Sequence, residues 1–176
     1  MQGLFRTAAV ATALVVLQLG TVVVASADTV VRHDPVGDST SAKQDIVSVR
    51  VTYDRRIRVA TRFVRLRHGS VFFATLDPGR RHAGGLFELK ARQRADGTTA
   101  GLLAFAEGEA AGFTRVRCAG LRTSSDPATE VLRVSAPQRC LRRHAPLRGG
   151  AWVQVEAGAS RDFLPEPPHA FRVSRG

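Results

Sequence analysis

Residues 45–66 read DIVSVRVTYDRRIRVATRFVRL. Two stretches of alternation meet there across two polar residues. In the first, 45–53, Val47, Val49, Val51 and Tyr53 share one face, and Ile46, Ser48, Arg50 and Thr52 take the other. In the second, 56–66, Ile57, Val59, Thr61 and Phe63 alternate with Arg56, Arg58, Ala60 and Arg62. Successive side chains of a strand point to opposite faces, so a period of two with one apolar phase predicts a half-buried strand. Asp54-Arg55 is short enough to close a hairpin, although it lacks the usual Gly.

The same reading extends in both directions. Strands are expected at 70–76 (SVFFATL), 85–91 (GLFELKA), 99–107 (TAGLLAFAE), 113–118 (FTRVRC), 130–135 (EVLRVS) and 151–157 (AWVQVEA). Asp77-Pro78-Gly79 and Asp96-Gly97 mark turns between them. Val30-Val31 reads as an edge strand, and 121–129 as a polar loop. One helical turn is expected at 136–141 (APQRCL), with Ser135 as N-cap and Pro137 early in the turn. The three prolines of 159–169 predict an extended or irregular segment. No stretch has the period of a long helix. Short strands separated by frequent turn signals predict an all-β fold: a two-sheet antiparallel β-sandwich, immunoglobulin-like or jelly-roll-like, of about eight or nine strands. A barrel is the alternative.

The amino-terminal 27 residues follow a different logic. Arg6 lies in a short charged start, residues 7–24 carry no charged side chain, and Ala25-Ser26-Ala27 supplies small residues at the positions a signal peptidase requires. This predicts a secretory signal peptide at 1–27 and a single domain at 28–176 with a Pro-rich carboxyl-terminal segment, 159–176. The competing reading is an uncleaved anchor, since about 18 apolar residues just span a bilayer. Gln18 and Gly20 interrupt the run, and no basic stop-transfer cluster follows it. The product is then a secreted protein, diffusing or retained at the cell envelope, with no transmembrane segment after cleavage, and a monomer.

Export changes the meaning of two other features. Cys118 and Cys140 are the only cysteines. In an exported chain such a pair is read as a disulfide, which stabilises a fold by roughly 3 kcal/mol when it closes a loop of this size. Two cysteines do not close a zinc site, and the five His show no ligand spacing beside them. The whole chain carries 26 basic and 15 acidic residues, and only Lys43 and Lys90 among the basic ones are lysine. The absence of Asn and the presence of only two Ile predict a GC-rich coding sequence, to which part of this Arg bias is then due. Its physical consequence is attraction to anionic surfaces.

Three groups of residues carry candidate chemistry. Arg56, Arg58 and Arg62 point the same way on one strand, and Arg50 joins them from its neighbour. Such a guanidinium row suits phosphate or carboxylate. The plain alternative is a solvated sheet face. Nucleic acid is not the expected partner, because aromatics do not interleave with the row. Asp34, Asp38 and Asp45 surround Pro35-Val36-Gly37 and make a candidate calcium site, completed by Asp162. The plain alternative there is a turn held by Asp side chains. Trp152 and Tyr53, each the only residue of its kind, are expected in the core. No G-x-S-x-G elbow or H-E-x-x-H helix occurs, and Glu107 with Glu109 reads as a solvated loop edge. The expectation is a non-enzyme without a cofactor, apart from a structural calcium ion.

The segment DPVGDSTSAKQDIVSVRVTYDRRIRVATRF (34–63), with VLRVSAPQRCL (131–141) and WVQVEA (152–157), resembles a group of actinobacterial secreted β-sandwich proteins of unknown function. It covers roughly half of the exported chain, and its motifs are moderately specific. The resemblance implies a sandwich and a Cys118–Cys140 bond, and no activity. A weaker similarity, in the D-x-x-G-D opening, is to DOMON-like and type-9 carbohydrate-binding modules. These bind calcium, sugars or haem. Haem held by Met is excluded, because the one Met is Met1. The expected function is a non-catalytic binding or structural protein of the cell envelope, with an anionic wall polymer or carbohydrate as ligand. The alternative is a protein-binding module or protease inhibitor presenting 121–129 or 161–169.

Overall fold

The computed structural model describes residues 28–39, 41–79, 85–108, 111–144, 150–158, 162–164 and 170–176. The expected signal peptide lies outside the described residues, as do Glu109 and residues 165–169 of the Pro-rich segment.

The chain folds as a sandwich of two antiparallel sheets. One has five strands, in the order β1 (Asp28–His33), β2 (Ile46–Tyr53), β3 (Arg56–Phe63), β9 (Val131–Pro137), β8 (Arg122–Asp126). The other has the order β11 (Asp162–Leu164), β10 (Gly150–Ala157), β4 (Val71–Asp77), β5 (Leu86–Gln93), β6 (Thr99–Ala106), β7 (Thr114–Arg115). The last strand, β12 (Phe171–Ser174), pairs with Gly150–Val153 of β10, and β11 pairs with Val155–Ala157 of the same strand. Among the described residues a single short helix, α1 (Gln138–Arg142), follows β9. Where β3 leaves the first sheet for β4 in the second, β9 and β10 make the same passage beside them.

The inner faces follow the alternation read from the sequence. Ile57, Val59, Thr61 and Phe63 of β3 are all buried. They meet Phe72, Ala74 and Leu76 of β4, Phe87, Leu89 and Ala91 of β5, and Val153 and Val155 of β10 in one core. Tyr53 is buried, and its hydroxyl accepts a 3.1 Å hydrogen bond from Gln138 Nε2. A buried Tyr requires such a partner. The Asp54-Arg55 turn closes the β2–β3 hairpin, with Arg56 N donating to Asp54 Oδ1 at 2.7 Å in place of a glycine turn. The Cys118–Cys140 disulfide is formed, with 5.4 Å between the Cα atoms.

Several expectations are corrected. A register shift between Ile46 and Ser48 turns Ile46 inward and leaves Val47 half-buried, so the buried phase of β2 is Ile46, Val49, Val51, Tyr53. A bulge inserts one residue and switches the phase. The strands among the described residues number twelve, because β8, β11 and β12, two of them too short to show a period, add to those expected. Of 113–118, only Thr114–Arg115 is strand. The expected loop 121–129 contains strand β8, whose RTSSD has no buried apolar phase because it forms the sheet edge. Ser135 lies within β9 and Pro137 is the N-cap of α1, with no side-chain cap. Trp152 is 42% exposed. The inner phase of β10 is Ala151, Val153, Val155 and Ala157, which leaves Trp152 on the outer one.

Gly150 starts β10 with φ +143°, and a Cβ there would lie 2.4 Å from the Val173 carbonyl oxygen. Neither backbone can yield without breaking the β10–β12 pairing. Gly150→Ala is expected to destabilise by about 2–3 kcal/mol, read as a lower urea midpoint with unchanged slope.

Candidate functional site

Two places on the sandwich gather charge. The first is the outer face of the five-stranded sheet. Antiparallel register sets Thr52 opposite Arg58, Arg58 opposite Ser135, and Ser135 opposite Arg122. One row further on, Arg50 opposes Ala60, Ala60 opposes Arg133, and Arg133 opposes Ser124. Long arginines thus alternate with small side chains across four strands. The result is a groove of about 390 Å³ lined by Thr52, Ala60, Ser124 and Ser135 between Arg50, Arg58, Arg122 and Arg133; Thr123, also at its edge, turns its hydroxyl to Thr99 of the opposite sheet.

Only part of this positive charge is neutralised. Arg58 pairs with Asp54 at 2.9 Å, and Arg133 with Asp126 at 3.9 Å. Both pairs are exposed, where such contacts hold their partners weakly. Arg50 and Arg122 have no carboxylate within salt-bridge distance among the described residues. Burial, then Arg122 and Arg58, push the Arg56 guanidinium below its ordinary pKa, a sign of crowded positive charge.

Of the expected row, Arg50 and Arg58 line the groove and Arg56 and Arg62 do not. Arg56 is committed to the protein itself: its Nη2 donates to the carbonyls of Gly120 (2.7 Å) and Ser135 (3.2 Å) and to Ser135 Oγ (2.9 Å). Arg62 lies beyond the groove, opposite Ser48 and Val131. The structure adds Arg122 and Arg133. Arg133 was legible as the outward phase between Leu132 and Val134; Arg122 was hidden in the segment read as a loop.

The second place is the corner between the sheets. Asp34 and Asp38 lie in the loop after β1, and Asp162 opens β11 in the opposite sheet. One oxygen from each of the three lies within 4.8 Å of the others. Asp45, just before β2, turns its carboxylate into the same loop, where Oδ2 accepts from Gly37 N at 2.9 Å. Asp162 Oδ2 accepts from Ile46 N at 2.6 Å, so this carboxylate also joins the two sheets. Burial first, then the charges of Asp162 and Asp38, raise the Asp34 pKa to about 7. Asp162 is likewise raised, chiefly by burial. Of the expected residues, Asp34, Asp38 and Asp162 bring carboxylate oxygens together, whereas Asp45 is outside that group and holds Gly37 N of the same loop.

A further cavity of about 470 Å³ runs between β6 and residues 115–121 at the sheet edge. Its lining is Gly101, Leu102, Leu103, Arg115, Val116, Arg117, Cys118 and Leu121, which supplies no general base or nucleophile.

Fold and site define a disulfide-bonded, all-β sandwich with an arginine-walled groove on one sheet and an acidic corner between sheets. No protein-family model matches the chain, and no curated protein matches it.

Proposed function

We propose that this protein is a secreted, non-catalytic binding protein of the cell envelope, and that its ligand is an anionic polymer held in the groove between Arg50, Arg58, Arg122 and Arg133. The groove carries the reading: four arginines line it together with the hydroxyl side chains of Thr52, Ser124 and Ser135. Guanidinium donors match phosphate and carboxylate in two-pronged geometry, and Thr and Ser hydroxyls add donors to a sugar or phosphate oxygen. An open groove suits a chain that passes through it, whereas a small ligand is usually enclosed. The excess of 26 basic over 15 acidic residues favours encounter with any polyanion, and the groove supplies local contacts beyond that general attraction. The resemblance of 34–63 to secreted actinobacterial sandwiches supports the envelope as location.

Binding to purified wall material across a salt series tests this reading. Retention is expected to exceed that of an unrelated protein of equal charge and to persist at about 0.15 M salt, where exposed charges further apart than ~8 Å are screened. Release at that salt together with the charge-matched protein would refute it.

A further inference from the structure

We propose that Asp34, Asp38 and Asp162 hold a calcium ion that clamps the two sheets together at the corner beside β1 and β11. This site is separate from the groove and does not depend on what the groove binds.

The donor set fits the ion. All three side chains offer carboxylate oxygen, the donor that hard cations select, and neither nitrogen nor sulfur is among them. Oxygens around one calcium ion at about 2.4 Å lie no more than ~4.8 Å apart, and the three carboxylates meet that limit. Loop carbonyls and water are the usual complement of such a shell.

A second observation stands apart from the cluster. Asp45 is only 3% exposed, yet its Oδ1 has no hydrogen-bond partner. Its other oxygen accepts from Gly37 N, in the loop that carries Asp34 and Asp38. Its charge acts on both Asp34 and Asp162. The Oδ2 atom of Asp34 is also buried without a partner. A buried, unpaired carboxylate oxygen is costly, and one beside three more carboxylates is costlier.

The missing counter-charge is the sharper point. The chain has 26 basic residues and only 15 acidic ones. Four of the latter nevertheless meet at one corner, and among the described residues no Lys or Arg forms a salt bridge with any of them. A divalent cation resolves this arrangement. It would also tie the loop after β1 to β11, reinforcing the Asp162–Ile46 hydrogen bond between the sheets.

The test is thermal unfolding of the purified protein in chelator, in about 10 mM calcium and in about 10 mM magnesium at matched ionic strength. That concentration is roughly a hundredfold above the ~0.1 mM dissociation constant of a weak extracellular calcium site. Calcium is expected to raise the midpoint by roughly 5–10 °C, and magnesium by much less. Asp38→Asn, an exposed position, should fold and lose most of the calcium shift. Glu107→Gln, which removes an exposed carboxylate elsewhere, should keep it. Isothermal titration with calcium alone should give one site in the wild type and none in Asp38→Asn. No calcium shift, or an equal shift in Asp38→Asn, overturns the site. Equal stabilisation by magnesium overturns the assignment to calcium.

Discussion

Reversing two groove arginines, Arg50→Glu with Arg122→Glu, is expected to weaken binding to a polyphosphate probe by about 100-fold at low salt. These are the two wall residues with no carboxylate within salt-bridge distance among the described residues, so their guanidinium groups are the ones free to meet a ligand. A hydrogen bond to a charged group contributes ~1.5–3 kcal/mol, and losing two such contacts accounts for the 100-fold. Both side chains are exposed, so the melting temperature should hold. The comparison that gives the result meaning is Arg92→Glu with Arg94→Glu, the same change in net charge placed at exposed positions at the end of β5 and just beyond it. General attraction predicts equal losses in the two pairs. A built groove predicts that the β5 pair loses only a few-fold at low salt, and almost nothing at ~0.15 M, where the screening length is about 8 Å. Fluorescence anisotropy of labelled polyphosphate reads both. Equal losses would reduce the groove to a patch of codon-driven charge.

The groove also shows where sequence reading runs out. Arg50 and Arg58 were legible because they occupy the outward phase of strands whose inward phase is unmistakable: Val49 and Val51 beside one, Ile57 and Val59 beside the other. Arg56 and Arg62 occupy the same outward phase, yet they do not line the groove. Phase gives the face, whereas register and local acceptors decide what each side chain meets on it. Arg56 finds the Gly120 and Ser135 carbonyls, groups brought close by strands far along the chain. Arg122 was invisible because an edge strand buries little and needs no apolar phase; its pairing to β9 is carried by backbone.

The same distinction separates Trp152 from Tyr53. Both are large and unique, but Trp152 stands between Ala151 and Val153, whose shared phase takes the core, whereas Tyr53 continues the phase of Val49 and Val51. Residue type favoured burial for both, and position decided it. The acidic corner was more legible than the groove. Three of its members lie within one short stretch, and Asp162 was the natural candidate to complete it. What no sequence period conveys is that β11 returns to the edge of the opposite sheet and brings that carboxylate to the loop.

Replacing Cys118 and Cys140 together by Ala is expected to destabilise the fold by about 3 kcal/mol, the chain-entropy value for a loop of this length. For a domain of this size that lowers the midpoint by roughly 6–12 °C. The sandwich itself should survive, because the core is built on β3, β4, β5, β9 and β10 and Cys140 sits at its margin on α1. The bond secures the approach to β8. Residues 116–121 contain no strand, and β8 is the outermost strand of its sheet. Two arginines reinforce the attachment from the far side, Arg139 by donating to the Ala119 carbonyl at 2.9 Å and Arg56 to that of Gly120 at 2.7 Å. Without the disulfide these two contacts hold the segment alone, and the edge strand that carries Arg122 opens more readily. Groove binding should therefore fall by a few-fold even well below the melting temperature, with the far-ultraviolet β-sheet spectrum unchanged. Hydrogen exchange gives the decisive measurement: protection lost selectively in 118–126 supports a tether for the groove wall. Uniform loss across both sheets would mean that the disulfide stabilises the sandwich as a whole and that Arg122 owes its position to the β8–β9 pairing.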